Sequence, residues 1–199
     1  MVPEIIHQCI KRIARLPGIG QRQASRIVFF LLRTKKFVAT PLLTDLENLL
    51  TLESCISCMF PCEVNTANLC ALCADPRRDK NTIMIVEKET DLLTIEKAKI
   101  FHGTYFVLGG LVNPIEPDSE HGLNLAPLFI RITSSPEIKK EIVFALSPTS
   151  TGNLTTHHIE RGLKQYNVHY TRLGKGLPNG GDIEFTDEET IIAAFSNRK

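Results

Sequence analysis

Four cysteines in this sequence have the spacing of a metal site. Cys55 and Cys58 form one Cys-x2-Cys pair, and after eleven further residues Cys70 and Cys73 form a second. Each pair places two thiolates on one tight turn, and two facing turns offer four soft ligands to a tetrahedral ion. Four sulfur ligands leave no open position for water or substrate. We therefore predict one structural Zn²⁺ per chain at this quartet.

The alternative for these cysteines is a pair of disulfide bonds in a secreted protein. The sequence begins Met1-Val2-Pro3-Glu4 and continues into an amphipathic segment, without the apolar core and cleavage site of a signal peptide. Because disulfides are rare in reducing compartments, we expect reduced thiols, a bound metal and a cytoplasmic protein.

Two further cysteines lie outside the quartet. Cys62 falls within the loop between the two pairs and breaks their symmetry, so we predict a free thiol near the site. Cys9 lies among isoleucines at helical spacing, which favours a small buried hydrophobic side chain. No motif around either cysteine indicates a catalytic nucleophile.

The net charge of +1 conceals a basic N-terminal segment. Residues 5–44 contain no Asp or Glu and eight cations: Lys11, Arg12, Arg15, Arg22, Arg26, Arg33, Lys35 and Lys36. A solvated helix face normally mixes both signs, so this segment indicates a surface that binds a polyanion. A hydrophobic content of 43% is ordinary for a globular protein, and no apolar run approaches the roughly 20 residues of a membrane helix.

A hairpin of two helices is predicted in this basic segment, over residues 4–16 and 21–33. The joining sequence Leu16-Pro17-Gly18-Ile19-Gly20 resembles the helix-hairpin-helix motif of proteins that bind DNA without reading its sequence. Gly18 and Gly20 lack side chains, so backbone N–H groups and the start of the second helix can meet a phosphate. Arg22 and Arg26 lie one turn apart and can pair with neighbouring phosphates. An ordinary αα-corner is the alternative, and the charge of the segment argues against it.

The remaining elements are assigned from hydrophobic patterning. A helix is predicted from Thr40, with an apolar face of Leu42, Leu43, Leu46, Leu49, Leu50 and Leu52. Strands are then predicted at 82–86, 104–108, 141–146, 168–173 and 182–185, and helices at 90–100, 123–132, 153–166 and from Asp187. Strands that alternate with helices indicate a mostly parallel sheet covered on both faces.

Glu87 ends the first of these strands, and Ser147 and Thr149 follow the strand at 141–146. This layout is similar to the Toprim domain of topoisomerases and primases, in which a Glu and an Asp-x-Asp hold Mg²⁺. Here Ser147 and Thr149 stand where the two aspartates are expected. One carboxylate and two hydroxyls make a poor Mg²⁺ site, so we predict no catalytic residue in the chain.

The motifs together resemble the RecR family of bacterial recombination mediators. The resemblance rests on residues 16–20, the cysteine quartet, Asp75-Pro76-Arg77-Arg78, Val86-Glu87, residues 105–108 and Gly176-x-Pro178-x-Gly180. It implies an α+β protein in four parts: a helix-hairpin-helix region (1–53), a zinc finger (54–79), a Toprim-like domain (80–173) and a C-terminal segment (174–199).

The resemblance also implies a function and partners. Members bind single- or double-stranded DNA, form dimers or tetrameric rings, and act with RecO and RecF to load RecA on single-stranded DNA. Gly18, Gly20, Arg22 and Arg26 would contact the DNA. The family often has acidic residues near Ser150–Asn153, linked to RecO contact, and this chain has none there. A Mg²⁺-dependent Toprim nuclease or primase, and a zinc-stabilised adaptor without a nucleic-acid role, are the alternatives.

Overall fold

The computed structural model describes residues 2–113, 115, 122–134, 139–174, 176–177, 180, 182–196 and 198. The chain divides into two compact units, Met1–Leu52 and Glu53–Lys199. No helix of the described residues is both long enough and apolar enough to cross a membrane.

The first unit is helical. Its elements are α1 (Glu4–Ile13), α2 (Gln21–Arg33), a π-helical turn (Lys35–Ala39) and α3 (Thr40–Leu49). Ile10, Ala24 and Val28 form a small core where α1 and α2 pack together. The prediction that the first helix continues to Leu16 is wrong: α1 ends at Ile13 because the amides of Arg15 and Leu16 turn back in i→i−3 hydrogen bonds.

The leucines of α3 are exposed in this unit. In α3, all of whose residues the structure describes, no side chain is buried. The predicted apolar face exists, with Leu43, Leu46 and Leu49 all exposed and Leu50 just beyond the helix 82% exposed. The sequence analysis predicted this apolar face but named no element that packs against it.

The second unit starts with the cysteine segment. Strand β1 (Glu53–Ser54) pairs antiparallel with β2 (Pro61–Cys62), and a short helix α4 (Ala71–Ala74) follows. Hydrophobic patterning did not predict this hairpin, since its strands have two residues each.

The rest of the second unit contains a four-stranded parallel sheet and the helices that follow its strands. Its elements are β3 (Asp79–Val86), α5 (Glu89–Lys97), β4 (Gly103–Val107), α6 (Leu125–Thr133), β5 (Lys140–Ala145), α7 (Ser150–Leu163), β6 (Val168–Arg172) and α8 (Glu188–Ser196). The strand order is β4-β3-β5-β6, and every pairing is parallel.

Alternate side chains of β3 enter two cores. Ile83 and Ile85 pack with buried residues of α6 and α7, whereas Met84 and Val86 pack with Leu92 of α5 on the other face. The predicted architecture, a helical hairpin followed by clustered cysteines and a parallel sheet covered on both faces, is thereby confirmed.

One predicted strand is wrong. The sequence predicts a strand over residues 182–185, and the structure has none there. Ile183–Phe185 instead form a 3-10 turn, in which the amides of Phe185 and Thr186 bond to the carbonyls of Asp182 and Ile183. These local bonds satisfy the backbone without a neighbouring strand, and the side chain of Phe185 remains 81% exposed. Pro178 of the predicted Gly-x-Pro-x-Gly stretch lies outside the described residues.

Candidate metal centre and nucleic-acid interface

The cysteine quartet converges to one point inside the second unit. The sulfur atoms of Cys55, Cys58, Cys70 and Cys73 all lie within 4.8 Å of one another, and each residue is at most 6% exposed. The Sγ atoms of Cys58 and Cys70 are 3.6 Å apart. A tetrahedron with Zn–S bonds of about 2.3 Å has sulfur separations of roughly 3.8 Å, so the donor set fits a single thiophilic ion. Among the described residues this is the only such group of three or more Cys, His, Asp or Glu.

Local backbone bonds create the two cysteine turns. The amide of Met59 donates to the carbonyl of Cys55 at 2.8 Å, and the amide of Cys55 donates to the carbonyl of Phe60 at 3.0 Å. Met59 adopts a φ of 63°, which closes this first turn tightly. Cys70 caps α4, since its Sγ accepts a hydrogen bond from the amide of Cys73 at 3.4 Å. Each pair is thus held in place by its own backbone.

The pKa values of three quartet thiols, Cys58, Cys70 and Cys73, are shifted in different directions. The hydrogen bond to Cys70 raises the pKa of Cys58 far above its usual value, and the same bond lowers the pKa of Cys70. For Cys73 the hydrogen bond to Cys58 acts to lower the pKa, but the bond to Cys70 and burial outweigh it and raise the pKa to about 12. Cys70 is therefore the thiolate around which Cys58 and Cys73 keep their protons until a metal displaces them.

The two remaining cysteines differ in their surroundings. Cys62 is half-buried in β2 and packs against the quartet, and burial raises the pKa of its thiol. It lies outside the group of four converging sulfurs. Cys9 is half-buried against the small core of the first unit.

Two cations hold the cysteine turns against the sheet, and sequence reasoning missed both. Arg131 of α6 donates to the carbonyl of Ser57 at 2.7 Å, within the first pair. Lys80 of β3 donates to the carbonyl of Cys73 at 2.7 Å, at the second pair. The signal for Arg131 was available, because it is the one charged residue in the apolar helix Leu125–Thr133.

The hairpin of the first unit leaves its glycine backbone open. Gly18 has a φ of 74°, and Gly20 caps α2 from an extended conformation. A Cβ atom added at either glycine would have no neighbour within 4 Å. No side chain or neighbouring group therefore keeps a ligand away from the backbone at these two positions.

The structure places Arg22 and Arg26 on the first two turns of α2, and both are exposed. The first turn of α2 contains no acidic residue, and Arg33 adds a cation in its last turn. The two glycines and the two arginines thus lie close together in the chain at the N-terminus of α2. The positive end of the helix dipole and two positive side chains coincide there. The DNA-binding assignment of Gly18, Gly20, Arg22 and Arg26 stays a prediction.

The carboxyl edge of the sheet carries the remaining candidate, Glu87. Val86 of β3 and Ala145 of β5 lie opposite each other, so Glu87 and the Ser147–Thr149 segment leave the sheet side by side. The side chain of Glu87 is mostly buried and pairs with Lys88 at 2.9 Å. The hydroxyl of Thr149 caps α7 by accepting a hydrogen bond from the amide of Gly152 at 3.1 Å. Thr149 therefore caps a helix at the position where the sequence resemblance places a metal carboxylate.

Comparisons with known proteins cover nearly the whole chain. A family model described as "RecR, helix-hairpin-helix" matches residues 6–50, a Toprim domain model matches 81–174, and one described as "RecR, C-terminal" matches 176–199. Recombination protein RecR of Sphingopyxis alaskensis is 34% identical over 199 residues, which cover 100% of this chain and 98% of that protein. Recombination protein RecR of Bifidobacterium adolescentis is 37% identical over 195 residues, covering 98% of this chain and 95% of that protein.

Proposed function

Because this chain belongs to the RecR family, we propose that it is a DNA-binding mediator of recombinational repair without catalytic turnover. It acts in the cytoplasm with RecO- and RecF-type partners to help load RecA on single-stranded DNA. It works as a homo-oligomer, a dimer or a tetrameric ring. Its parts are the DNA-binding region (1–53), the zinc finger (54–79), the Toprim-like domain (80–173) and the C-terminal segment (174–199).

The open hairpin of the first unit carries this proposal. Its two glycines admit a phosphate to the backbone, and the segment 5–44 has eight cations and no carboxylate. Contacts of this kind go to phosphates and read no base, so the binding is sequence-nonspecific and weakens steeply with salt. Both single- and double-stranded DNA present such phosphates.

A double substitution on α2 tests the DNA contact. We expect Arg22→Ala with Arg26→Ala to weaken binding to all sequences and to reduce the slope of log affinity against log salt by about two. Fluorescence anisotropy at several salt concentrations measures both quantities. Arg161→Ala with Lys164→Ala, which removes the same charge from exposed positions in and next to α7, is the control. Equal affinity and equal slope in the hairpin variant and wild type would refute the assignment.

We propose that the quartet holds one structural Zn²⁺ per chain. Four buried thiols with no place for a fifth ligand suit a closed tetrahedral site, which stabilises the fold and leaves no position for substrate. We expect one zinc per wild-type chain by elemental analysis, and less than one in Cys58→Ser. Cys62→Ser is the matched control, since it removes a neighbouring thiol outside the quartet and leaves the zinc content unchanged.

An enzymatic role is the second candidate, because the Toprim match includes Glu87 at the carboxyl end of β3. A Mg²⁺-dependent nuclease or primase would need further carboxylates, and Ser147 and Thr149 supply only hydroxyls. We expect no Mg²⁺-dependent cleavage or synthesis of DNA by the purified protein. Activity that requires Mg²⁺ and disappears in Glu87→Gln would replace the mediator proposal with the enzymatic one.

A further inference from the structure

Arg131 is an unusual residue for its helix. Leu125, Leu128 and Ile132 of α6 are buried in the core beneath the sheet, and Arg131 is the single charged side chain of that helix. Placing a guanidinium against an apolar core is unfavourable unless hydrogen bonds and an opposite charge compensate it. The surroundings of Arg131 therefore have to supply that compensation.

The guanidinium of Arg131 joins the first cysteine turn to strand β4. Its Nη1 donates to the carbonyl of Ser57 at 2.7 Å and to the carbonyl of Tyr105 at 2.6 Å. Its Nη2 donates to the hydroxyl of Thr104 at 2.6 Å. Ser57 lies between Cys55 and Cys58, so this cation is fixed beside the first half of the quartet.

Lys80 takes the equivalent position at the second cysteine turn. Its ammonium donates to the carbonyl of Cys73 and to the carbonyl of Asp75, both at 2.7 Å. Lys80 belongs to β3 and Arg131 to α6. Each of the two Cys-x2-Cys turns therefore receives one cation from the α/β part of the same unit.

Charge balance explains this arrangement. Four thiolates around a divalent ion leave a net charge of about −2, and in this protein the thiolates lie in a site that is at most 6% exposed. A buried net charge is costly unless charges of opposite sign lie close to it. The guanidinium of Arg131 and the ammonium of Lys80 each bond to a backbone carbonyl of one cysteine turn, so a positive charge lies beside each half of the site. These two positive charges are placed to offset the net negative charge of the metal–tetrathiolate site.

We propose that Arg131 and Lys80 neutralise the metal–tetrathiolate centre, so that metal affinity and the packing of the cysteine segment on the sheet depend on each other. The inference rests on the zinc occupancy proposed above. It assigns to the two cations a positioning role: they contact the turns that carry the ligands, and they do not ligate the metal.

Substitutions that separate charge from hydrogen bonding test the proposal in the full-length protein. Arg131→Gln keeps N–H donors and removes the charge, Arg131→Lys keeps the charge, and Arg161→Met removes an exposed arginine of α7 as the control. Zinc affinity is measured by competition with a chromophoric chelator. The absorption spectrum of the Co²⁺-substituted protein reports whether four sulfurs still coordinate the ion.

We expect Arg131→Gln to lower zinc affinity about 10- to 100-fold, the range found when groups that orient metal ligands are removed. Arg131→Lys recovers most of that loss, and Arg161→Met equals wild type. The Co²⁺ spectrum keeps its tetrathiolate bands in every folded variant. If Arg131→Gln lowers thermal stability equally with and without zinc and leaves zinc affinity unchanged, Arg131 is only a hydrogen-bonding tie and the proposal is overturned.

Lys80 provides a second test that does not depend on the core. Its side chain is exposed, so Lys80→Gln should fold even if the Arg131 variants do not. A fall in zinc affinity supports neutralisation from both turns, and an unchanged affinity overturns it. If wild type binds one zinc per chain and the Arg131 and Lys80 variants keep the wild-type zinc affinity, this inference alone is refuted. A wild-type chain that binds no zinc refutes the metal proposal and this inference together.

Discussion

At the scale of single residues, the spacing of the cysteines in the sequence predicts the metal ligands of the quartet. The same spacing does not reveal which charged side chains lie beside them. Cys55, Cys58, Cys70 and Cys73 stand in a recognisable pattern, and they converge as that pattern requires. The cation at the first turn comes from a distant position, since Arg131 is 74 residues from Ser57 in sequence, whereas Lys80 at the second turn is 7 residues from Cys73. Residue types alone therefore locate the ligands and miss the residues that surround them.

The pKa values of the thiols make metal binding pH-dependent. Cys58 and Cys73 have raised pKa values, for Cys73 about 12, so both are protonated at neutral pH before the metal binds. Binding displaces these protons, so zinc affinity rises with pH by up to about 100-fold per unit for two protons and falls as the solution is acidified. Chelator competition between about pH 6 and about pH 8 checks this dependence. Affinity that does not vary over this interval would show that the thiols are already ionised.

The two hairpin glycines should respond differently to an added methyl group. Gly20 has an ordinary φ and open space around it, so Gly20→Ala should cost less than about 1 kcal/mol of stability. It nevertheless places a methyl group at the proposed phosphate contact with the backbone, and we therefore expect weaker DNA binding. Gly18→Ala also strains the turn by about 1–2 kcal/mol, because φ is 74° there. Anisotropy and thermal unfolding of both variants separate the two effects, and wild-type DNA affinity in Gly20→Ala would contradict backbone contact.

At the scale of elements, the start of α7 shows how a segment that resembles a site can serve the fold. The sequence predicts that this helix begins at residue 153, but α7 begins at Ser150 and Thr149 caps it. Gly152 lies so close to the carbonyl of Ser147 that no side chain fits between them. The sequence resemblance places a Toprim metal motif at this segment, and in the structure the hydroxyl of Thr149 caps α7 while Gly152 packs against the carbonyl of Ser147.

A substitution at Gly152 tests this packing. A Cβ atom would overlap the carbonyl oxygen of Ser147, so we expect Gly152→Ala to destabilise the protein by about 1–3 kcal/mol. Gly176→Ala, at a position with no atom within 4 Å of the added carbon, is the matched control. Thermal unfolding compares the two. Equal stability of both variants would show that the turn at Ser147 yields without cost.

At the scale of the whole molecule, the exposed leucines of α3 fit the proposed homo-oligomer. Leu42, Leu43, Leu46 and Leu49 are all more than two-fifths exposed, and apolar patches of this kind mark contact surfaces. Because the proposed function includes a homo-oligomer, we expect a second copy of the chain to pack against this patch. The patch lies on the same unit as the hairpin, so the proposed assembly and the proposed DNA contact would use the same group of helices.

A charge placed within this patch should weaken assembly. We expect Leu46→Asp to shift the solution mass toward smaller species, because a carboxylate cannot be buried in an apolar contact without a partner charge. Light scattering with and without DNA measures the mass. Asn48→Asp, which adds the same charge at another exposed position of α3, should behave as wild type. An unchanged mass for Leu46→Asp would place the contact elsewhere.

The sequence by itself determined the local chemistry of this protein. The cysteine quartet, the hairpin glycines and the alternation of strands and helices follow from spacing and periodicity, which depend on near neighbours in the chain. The missing aspartates at Ser147 and Thr149 were readable in the same way.

Only the tertiary structure decided which distant groups meet. Arg131 reaches the first cysteine turn from 74 residues away because the fold brings α6 beside the quartet. The alternating residues at 182–185 form a turn because local hydrogen bonds replace a strand partner that periodicity cannot reveal. Periodicity records the face that a residue presents, whereas charge compensation and strand pairing depend on groups far away in sequence.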